Sequence, residues 1–142
     1  MTTQKILTTE QRQELLRLAQ AARQSAYAPY SNYWVGAALL TASGKVFSGC
    51  NVENAAYPTC MCAERVAIYK AISEGERVFV GIAVVTSNGG TPCGSCRQVM
   101  AEFGPHALVL IANADGQVLQ EMTVAELLPG AFGPSDLLTK AE

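Results

Sequence analysis

The chain is organised around two stretches, Cys60-Met61-Cys62-Ala63-Glu64-Arg65 and Pro92-Cys93-Gly94-Ser95-Cys96. In the second stretch, two cysteines are spaced so that their thiols, in the first turn of a helix, can bind one metal ion. Cys62 lies at the start of another predicted helix. A first ligand followed two residues later by glutamate, and then by Pro-Cys-x-x-Cys, is typical of zinc sites that activate water. The sequence therefore predicts a zinc site formed by Cys62, Cys93 and Cys96.

The charges around such a site can be worked out from the residue types. Three thiolates leave a zinc ion with one excess negative charge, which two helix N-termini would offset while lowering the pKa values of the thiols. Arg65 is a candidate donor to the sulfur atoms, although an exposed salt bridge is an equally ordinary role for it. The fourth tetrahedral position stays open for water, whose pKa zinc lowers. Glu64 is predicted to carry protons and not to bind the metal.

Two alternatives use the same cysteines. In the first, Cys60 joins Cys62, Cys93 and Cys96 in a closed structural site without catalysis. The Cys-x-Cys spacing is awkward for such a site, which also leaves Glu64 unexplained. In the second alternative, Cys93 and Cys96 form a dithiol redox motif, which gives no role to Cys62.

Composition narrows the class of protein. The 142 residues, 49% of them hydrophobic and 15% charged, suit one domain over residues 1–142 with a buried core. A net charge of −2 without a basic run excludes a protein that grips a nucleic acid polymer. No apolar run is as long as a membrane span, and residues 1–10 are polar and unlike a signal peptide, so we expect a cytoplasmic protein. Five cysteines, an odd number, point to metal binding or catalysis before disulfides.

Hydrophobic periodicity and turn residues predict an α/β fold. The predicted helices cover residues 8–26, 62–74, 92–103 and 123–126, and the predicted strands cover residues 33–41, 45–51, 78–86, 107–112 and 117–121. The first two strands form a hairpin, residues 51–58 are a polar connection, and the tail 128–137 is predicted to be irregular. Alternation of strands and helices implies a mixed sheet of about five strands with helices on its faces.

Beyond the zinc signature, the chain resembles the small homotetrameric cytidine deaminases over nearly its whole length. The resemblance is carried by the following stretches: Ala28-Pro29-Tyr30-Ser31, Val35-Gly36-Ala37-Ala38, residues 49–54 with Tyr57-Pro58, Cys96-Arg97-Gln98, Ala101-Glu102-Phe103, Leu128-Pro129 and Phe132-Gly133-Pro134. It implies a three-layer fold, one Zn²⁺ per subunit, and hydrolysis of cytidine and 2'-deoxycytidine to uridine and 2'-deoxyuridine with loss of ammonia, a step of pyrimidine salvage. It also implies a homotetramer with shared active sites.

The resemblance also assigns substrate contacts. Asn51 and Glu53 match the residues that hold the sugar hydroxyls, and their amide and carboxylate suit that role chemically. Backbone groups near Ala63 and Thr91 are expected to hydrogen-bond the pyrimidine. Phe132 is expected to reach the active site of a neighbouring subunit.

Three residues depart from the family pattern. Tyr33 stands where the family usually has a phenylalanine that packs near the nucleoside, and its hydroxyl needs a hydrogen-bond partner. Trp34 is bulkier than usual, and Cys60 occupies a position that is usually small or polar. The closest enzymatic alternative is a deaminase of a cytosine-nucleoside antibiotic such as blasticidin S, and the alternative from another class is a non-catalytic structural-zinc module.

Overall fold

The computed structural model describes residues 7–138, within which the chain forms five strands, five α-helices and one 3-10 helix. Residues 1–6, part of the polar segment predicted to be unlike a signal peptide, lie outside this range. In chain order the elements are α1 (Thr9–Arg23), β1 (Gly36–Thr41), β2 (Val46–Cys50), the 3-10 helix (Tyr57–Thr59), α2 (Ala63–Ser73), β3 (Phe79–Val85), α3 (Gly94–Phe103), β4 (Leu108–Ala112), β5 (Val118–Thr123), α4 (Val124–Leu127) and α5 (Pro134–Leu137). Over residues 7–138, none of the helices has the length and apolar character needed to cross a membrane.

The strands form one mixed sheet in the order β2-β1-β3-β4-β5. β3 and β4, joined by α3, are parallel, and the other neighbouring pairs are antiparallel. β2 and β3, joined by α2, both run antiparallel to β1 and are therefore parallel to each other. The predicted mixed sheet of five strands flanked by helices is confirmed.

Alternate side chains of the central strands face two separate hydrophobic clusters. On one face, Ala38, Leu40 and Ala83 pack with Leu15 and Ala19 of α1. On the other face, a larger cluster joins the sheet to α2, α3 and α4; its members from the sheet and from these helices include Leu39, Ile82, Val109, Ile68, Met100 and Val124. The protein thus has three layers, with α1 on one side of the sheet and the remaining packed helices on the other.

Several element boundaries differ from the predicted ones. Helix α1 starts, as predicted, after the Thr8 capping box but ends at Arg23, and residues 24 and 25 continue it with the tighter bonds of a 3-10 turn. β1 begins at Gly36 and not at Tyr33, because the Asn51 side chain bonds the backbone there. Its Oδ1 accepts from Val35 N (2.9 Å), and its Nδ2 donates to Tyr33 O (2.8 Å).

The prediction of a wholly irregular tail was wrong, because residues Pro134–Leu137 form α5. Pro134 occupies the first helical position, where its missing N–H costs nothing. The Asp136 carboxylate accepts a hydrogen bond from Gly133 N at 2.8 Å and so caps the helix. Because this signal spans only four residues, the prediction overlooked it.

Gly49 permits α2 to lie directly against β2. A Cβ atom at this position would lie 2.7 Å from Ala67 N and 2.9 Å from Ala63 O, both backbone atoms of α2. Because a helix backbone cannot yield locally, a side chain here would displace the whole helix. The absence of a side chain at Gly49 therefore sets the position of the N-terminus of α2.

We predict that Gly49→Ala lowers the free energy of unfolding by about 1–3 kcal/mol, the usual cost of overpacking, and also weakens zinc binding because α2 carries Cys62. Thermal unfolding at fixed protein concentration, with metal analysis of the purified protein, measures both effects. Gly133→Ala is the matched control, because a Cβ there would have no atom within 4 Å. Equal stability and metal content in the two variants would contradict the prediction.

Candidate functional site

Three cysteine sulfur atoms meet where two helices begin. Cys62 is the N-cap of α2, Cys93 is the N-cap of α3, and Cys96 lies in the first turn of α3. The Sγ atoms of Cys62 and Cys93 are 3.7 Å apart, those of Cys93 and Cys96 are 3.6 Å apart, and all three lie within 4.8 Å of one another. Tetrahedral zinc with bonds of about 2.3 Å to sulfur needs sulfur atoms about 3.8 Å apart. The spacing of the three thiols therefore suits a shared zinc ion.

The surroundings favour the thiolate form of Cys62, whereas the hydrogen bond with Cys62, followed by burial, raises the pKa of the Cys96 thiol. Neither N-cap side chain bonds its helix, so the first N–H groups of both helices supply partial positive charge to the cluster. Arg65 Nη2 donates to Cys62 Sγ at 3.3 Å. Hydrogen bonds from Cys96 and then Arg65 lower the pKa of the Cys62 thiol to about 5, so Cys62 can ligate a metal at neutral pH.

Arg65 is itself held close to the cluster. Its hydrogen bond with Cys62 raises the pKa of the guanidinium, so the positive charge persists at every physiological pH. Its Nε is buried and has no hydrogen-bond partner within residues 7–138. The net rise of the Arg65 pKa means that its hydrogen bond to Cys62 outweighs the desolvation cost of the guanidinium.

Glu64 is a buried carboxylate beside the sulfur cluster. It is the second residue of α2, its side chain is only 4% exposed, and it lines the cavity described below. Burial, followed by the nearby charge of Cys62, raises the pKa of this carboxyl. A carboxyl whose pKa is closer to neutrality can both accept and release a proton during a reaction. The group of possible metal ligands within residues 7–138 contains the three cysteines and not Glu64.

A cavity of about 570 Å³ opens in front of this cluster. Its walls come from the segment before β1, the connection after β2, the first turn of α2, and the end of β3 with the loop that leads into α3. Of the residues singled out in the sequence, it is lined by Tyr33, Asn51, Glu53, Cys62, Glu64, Arg65, Thr91 and Cys93. Ala63 and Cys96 lie behind the lining and are fully buried. The volume suits a small molecule.

The Asn51 side chain uses part of its hydrogen-bonding capacity on the protein backbone. Its amide bridges the backbone of Tyr33 and Val35, as described above for the start of β1. Because an amide has two donor hydrogens and an oxygen with two lone pairs, these bonds leave one donor and one acceptor position for a ligand. Asn51 therefore holds the wall of the cavity and retains capacity to bind a molecule inside it.

Glu53 is held in the same manner. Its Oε1 accepts hydrogen bonds from Tyr30 N at 3.0 Å and Ser31 N at 3.1 Å, and its Oε2 accepts from the Ser31 hydroxyl. The hydroxyl and then the backbone of Ser31 lower the pKa of Glu53, so it is ionised at neutral pH. Ser31 also lines the cavity. Ser31 was not among the predicted site residues, although Pro29-Tyr30-Ser31 belongs to a stretch that resembles the family.

Arg97 is a second residue that the sequence analysis did not single out. Its guanidinium donates to Pro92 O (2.8 Å), Leu127 O (2.9 Å) and Thr91 Oγ1 (3.1 Å). It therefore fixes the segment that precedes Cys93 and ties this segment to the end of α4. The sequence signal that could have identified Arg97 as a site residue is its place in the stretch Cys96-Arg97-Gln98, directly after Cys96.

Phe132 and Cys60 lie apart from the sulfur cluster. Phe132 is 58% exposed, and its carbonyl accepts a hydrogen bond from Gln98 Nε2 at 2.8 Å. The cavity lining within residues 7–138 does not include it. Cys60 lines the cavity, but its sulfur accepts from Asn54 N at 3.2 Å and lies outside the group of three close thiols. The four-thiolate alternative is therefore not favoured.

Comparison with known proteins agrees with the resemblance to cytidine deaminases that the sequence shows. Residues 9–112 match the family model described as the cytidine and deoxycytidylate deaminase zinc-binding region. A cytidine deaminase of Halalkalibacterium halodurans is 53% identical over 129 residues, which cover 89% of this chain and 97% of that protein. One of Sporosarcina psychrophila is 48% identical over 133 residues, covering 92% of this chain and 97% of that protein.

The fold also matches solved structures. The 1.6 Å crystal structure of cytidine deaminase from Burkholderia pseudomallei superposes with a TM-score of 0.80 at 52% identity, covering 84% of this chain and 98% of that chain. The crystal structure of cytidine deaminase from Mycobacterium tuberculosis has a TM-score of 0.75 at 37% identity, with 85% of this chain and 96% of that chain covered.

We predict that Cys96→Ser removes the bound zinc, whereas Cys60→Ser retains one zinc per chain. Cys96 belongs to the cluster of three sulfur atoms and Cys60 does not, so the two serine substitutions differ only in the thiol removed. Elemental analysis of the proteins purified without chelator gives the stoichiometry. Loss of zinc from Cys60→Ser would instead support the four-thiolate site.

Proposed function

Because the chain belongs to the cytidine and deoxycytidylate deaminase family, we propose that it converts cytidine and 2'-deoxycytidine to uridine and 2'-deoxyuridine with release of ammonia. The reaction is a hydrolysis of the amidine carbon–nitrogen bond and serves pyrimidine salvage. One observation carries the proposal: a buried carboxylate, Glu64, lies in a cavity of suitable size beside three thiols with zinc geometry.

Cys62, Cys93 and Cys96 would hold one zinc ion, which supplies an activated water for attack on ring carbon 4 of cytosine. Arg65 offsets the negative charge of the thiolates through its hydrogen bond to Cys62. The site lies at the N-termini of two helices, and their partial positive charge acts in the same direction. These residues therefore set the charge of the site while leaving one position open to the cavity.

Glu64 would move the protons. Its carboxylate would take one proton from the attacking water and deliver it to the ring nitrogen, and would then take the remaining proton of the new hydroxyl group on carbon 4 and deliver it to the departing amine. Burial raises the pKa of Glu64. This supports the role, because a carboxyl with a raised pKa differs less in pKa from the groups with which it exchanges protons. Burial also excludes bulk water, which strengthens the electrostatic interactions of the reacting groups.

The cavity wall would orient the nucleoside. Asn51 and Glu53 are proposed to bind the sugar hydroxyls through the donor and acceptor positions that their internal bonds leave available. Backbone groups of Ala63 and Thr91 are proposed to bind the pyrimidine, and the ring of Tyr33 to pack against the nucleoside. Support comes from the position of Thr91 and Tyr33 in the cavity lining and of Ala63 directly behind it.

The substrate is proposed to be a free nucleoside in the cytoplasm. The net charge of −2 provides no basic track for a polynucleotide. No feature of the cavity favours a nucleoside antibiotic over cytidine, and a parallel assay on blasticidin S and cytidine separates the two. A structural-zinc module would show no turnover on either substrate, and it leaves the burial of Glu64 without a reason.

We predict that Glu64→Gln keeps the fold and the zinc but lowers kcat on cytidine by about 10²- to 10⁴-fold, the usual contribution of a positioned proton carrier. Ammonia release, measured with and without a chelator, gives the activity, and elemental analysis gives the metal content. Glu102→Gln is the control, because Glu102 is exposed on α3. Zinc loss from Glu64→Gln would make Glu64 a ligand, and full activity would remove its proposed role.

We further propose a homotetramer with active sites shared between subunits. Support comes from exposed large apolar side chains: Tyr57 (68%), which lines the cavity, Tyr30 (49%) and Val52 (44%), which are adjacent in the chain to residues of its lining, and Phe132. Solvent-exposed apolar groups that gather in one region commonly mark a subunit interface. The hydrogen bond from Gln98 to the Phe132 backbone fixes the tail while its aromatic ring stays outside its own cavity.

If Phe132 enters a neighbouring active site, Phe132→Ala should raise KM for cytidine several-fold with a smaller effect on kcat, since the ring would contact substrate and not the proton carrier. Steady-state kinetics measures both constants, and analytical ultracentrifugation checks that the oligomer persists. Leu137→Ala, which truncates another exposed side chain of the tail, is the control. Kinetics equal to those of the control would contradict the cross-subunit contact.

A further inference from the structure

A chain of hydrogen bonds follows the rim of the cavity from Glu53 to the loop after β3. The Ser31 hydroxyl donates to the Glu53 carboxylate and accepts from Tyr33 N at 3.0 Å. The Tyr33 hydroxyl then donates to Asn88 Oδ1 at 2.7 Å. Tyr33 therefore connects the segment before β1, on one side of the cavity, with the loop on the opposite side.

The loop side of this connection continues into the cavity wall. Asn88 Oδ1 also accepts from the Thr86 hydroxyl at 3.4 Å, and that hydroxyl in turn accepts from Gly90 N at 2.9 Å. Thr86, Gly90 and the adjoining Thr91 all line the cavity. A bond made by Tyr33 to Asn88 consequently acts on the backbone next to the proposed pyrimidine-binding position.

The backbone at residues 32 and 33 is fixed in a conformation that allows Tyr33 to make this contact. Asn32 has a φ of 55°, a left-handed conformation that asparagine tolerates better than most residues. The carbonyl of Tyr33 is held by Asn51 Nδ2 at 2.8 Å. Across the cavity, a Cβ at position 90 would lie 2.4 Å from the Tyr33 hydroxyl oxygen, so Gly90 provides the space for it.

We propose that Tyr33 is a positioning residue that clasps the loop of residues 86–91 through its hydroxyl bond to Asn88, and so holds Thr91 at the pyrimidine end of the cavity. The proposal rests on the proposed function in taking the ligand to be a cytosine nucleoside. The clasp leaves the zinc ligands and Glu64 in place, because these lie on α2 and α3 or at their N-caps. Its loss should therefore weaken binding more than it slows the chemical step.

The test is a double-mutant cycle on the zinc-loaded protein. Tyr33→Phe removes only the hydroxyl, and Asn88→Ala removes only the acceptor side chain. Each should raise KM for cytidine by roughly 2- to 10-fold, the range set by the net value of one hydrogen bond, with a smaller change in kcat. The double variant should be no worse than the poorer single variant, because both substitutions delete the same bond.

Two further variants separate the clasp from other roles of the same residues. Asn88→Asp keeps an acceptor oxygen and should restore most of the affinity lost in Asn88→Ala. Ser87→Ala changes an exposed neighbour in the same loop and serves as the control. If Tyr33→Phe raises KM while Asn88→Ala does not, the hydroxyl contacts the substrate directly and the clasp is refuted. Additive effects in the double variant would refute it as well.

Amide hydrogen exchange tests the clasp without reference to activity. In the zinc-loaded protein without substrate, exchange at residues 87–91 should be faster in Tyr33→Phe and Asn88→Ala than in the unsubstituted chain, and equally fast in the double variant. Unchanged exchange would overturn the proposal. If the unsubstituted chain releases no ammonia from cytidine, the proposed function fails, and the exchange data still decide whether the clasp exists.

Discussion

The arrangement of α2 and α3 on the sheet brings three cysteine sulfur atoms within 4.8 Å of one another, and the candidate site depends on this close approach. The thiols come from two segments about thirty residues apart in the chain, and they meet because α2 and α3 begin at the same edge of the sheet. That meeting depends on the parallel direction of β2 and β3 and on the close approach of α2 to Gly49. The layer that carries both helices also holds the larger hydrophobic cluster. Packing in this cluster and zinc binding would therefore stabilise the same placement of α2 and α3 on the sheet.

The electrostatics of the site follow from the same geometry. Hydrogen bonds from Cys96 and then Arg65 lower the pKa of the Cys62 thiol, whereas burial raises the pKa of Glu64 only two residues away. Their surroundings thus shift the pKa values of the two groups in opposite directions, in keeping with the proposed roles of Cys62 as a zinc ligand and Glu64 as a proton carrier. Such divergence between neighbouring titratable groups is the usual physical basis for assigning separate roles in catalysis.

The cavity wall is built from polar residues that have two roles. Asn51 and Glu53 hold the backbone between Tyr30 and Val35, and this backbone carries Tyr33 towards the loop after β3. The proposed sugar-binding groups are therefore already fixed before a ligand enters. A preorganised wall reduces the entropy that binding would otherwise lose in ordering side chains.

The sequence by itself determined the order of the five strands and of helices α1 to α4, the mixed sheet, the candidate zinc ligands and the candidate proton carrier. These features follow from short-range patterns, such as the turn that joins Cys93 to Cys96 and the capping box at Thr8. Only the tertiary structure revealed the hydrogen bond between Tyr33 and Asn88, the triple anchor of Arg97 and the internal bonds of Asn51. Apart from the bonds from Arg97 to Pro92 and Thr91, which span 5 and 6 positions, those contacts join residues from 16 to 55 positions apart. Side chains so far apart meet only after the sheet has formed, so no local spacing encodes them.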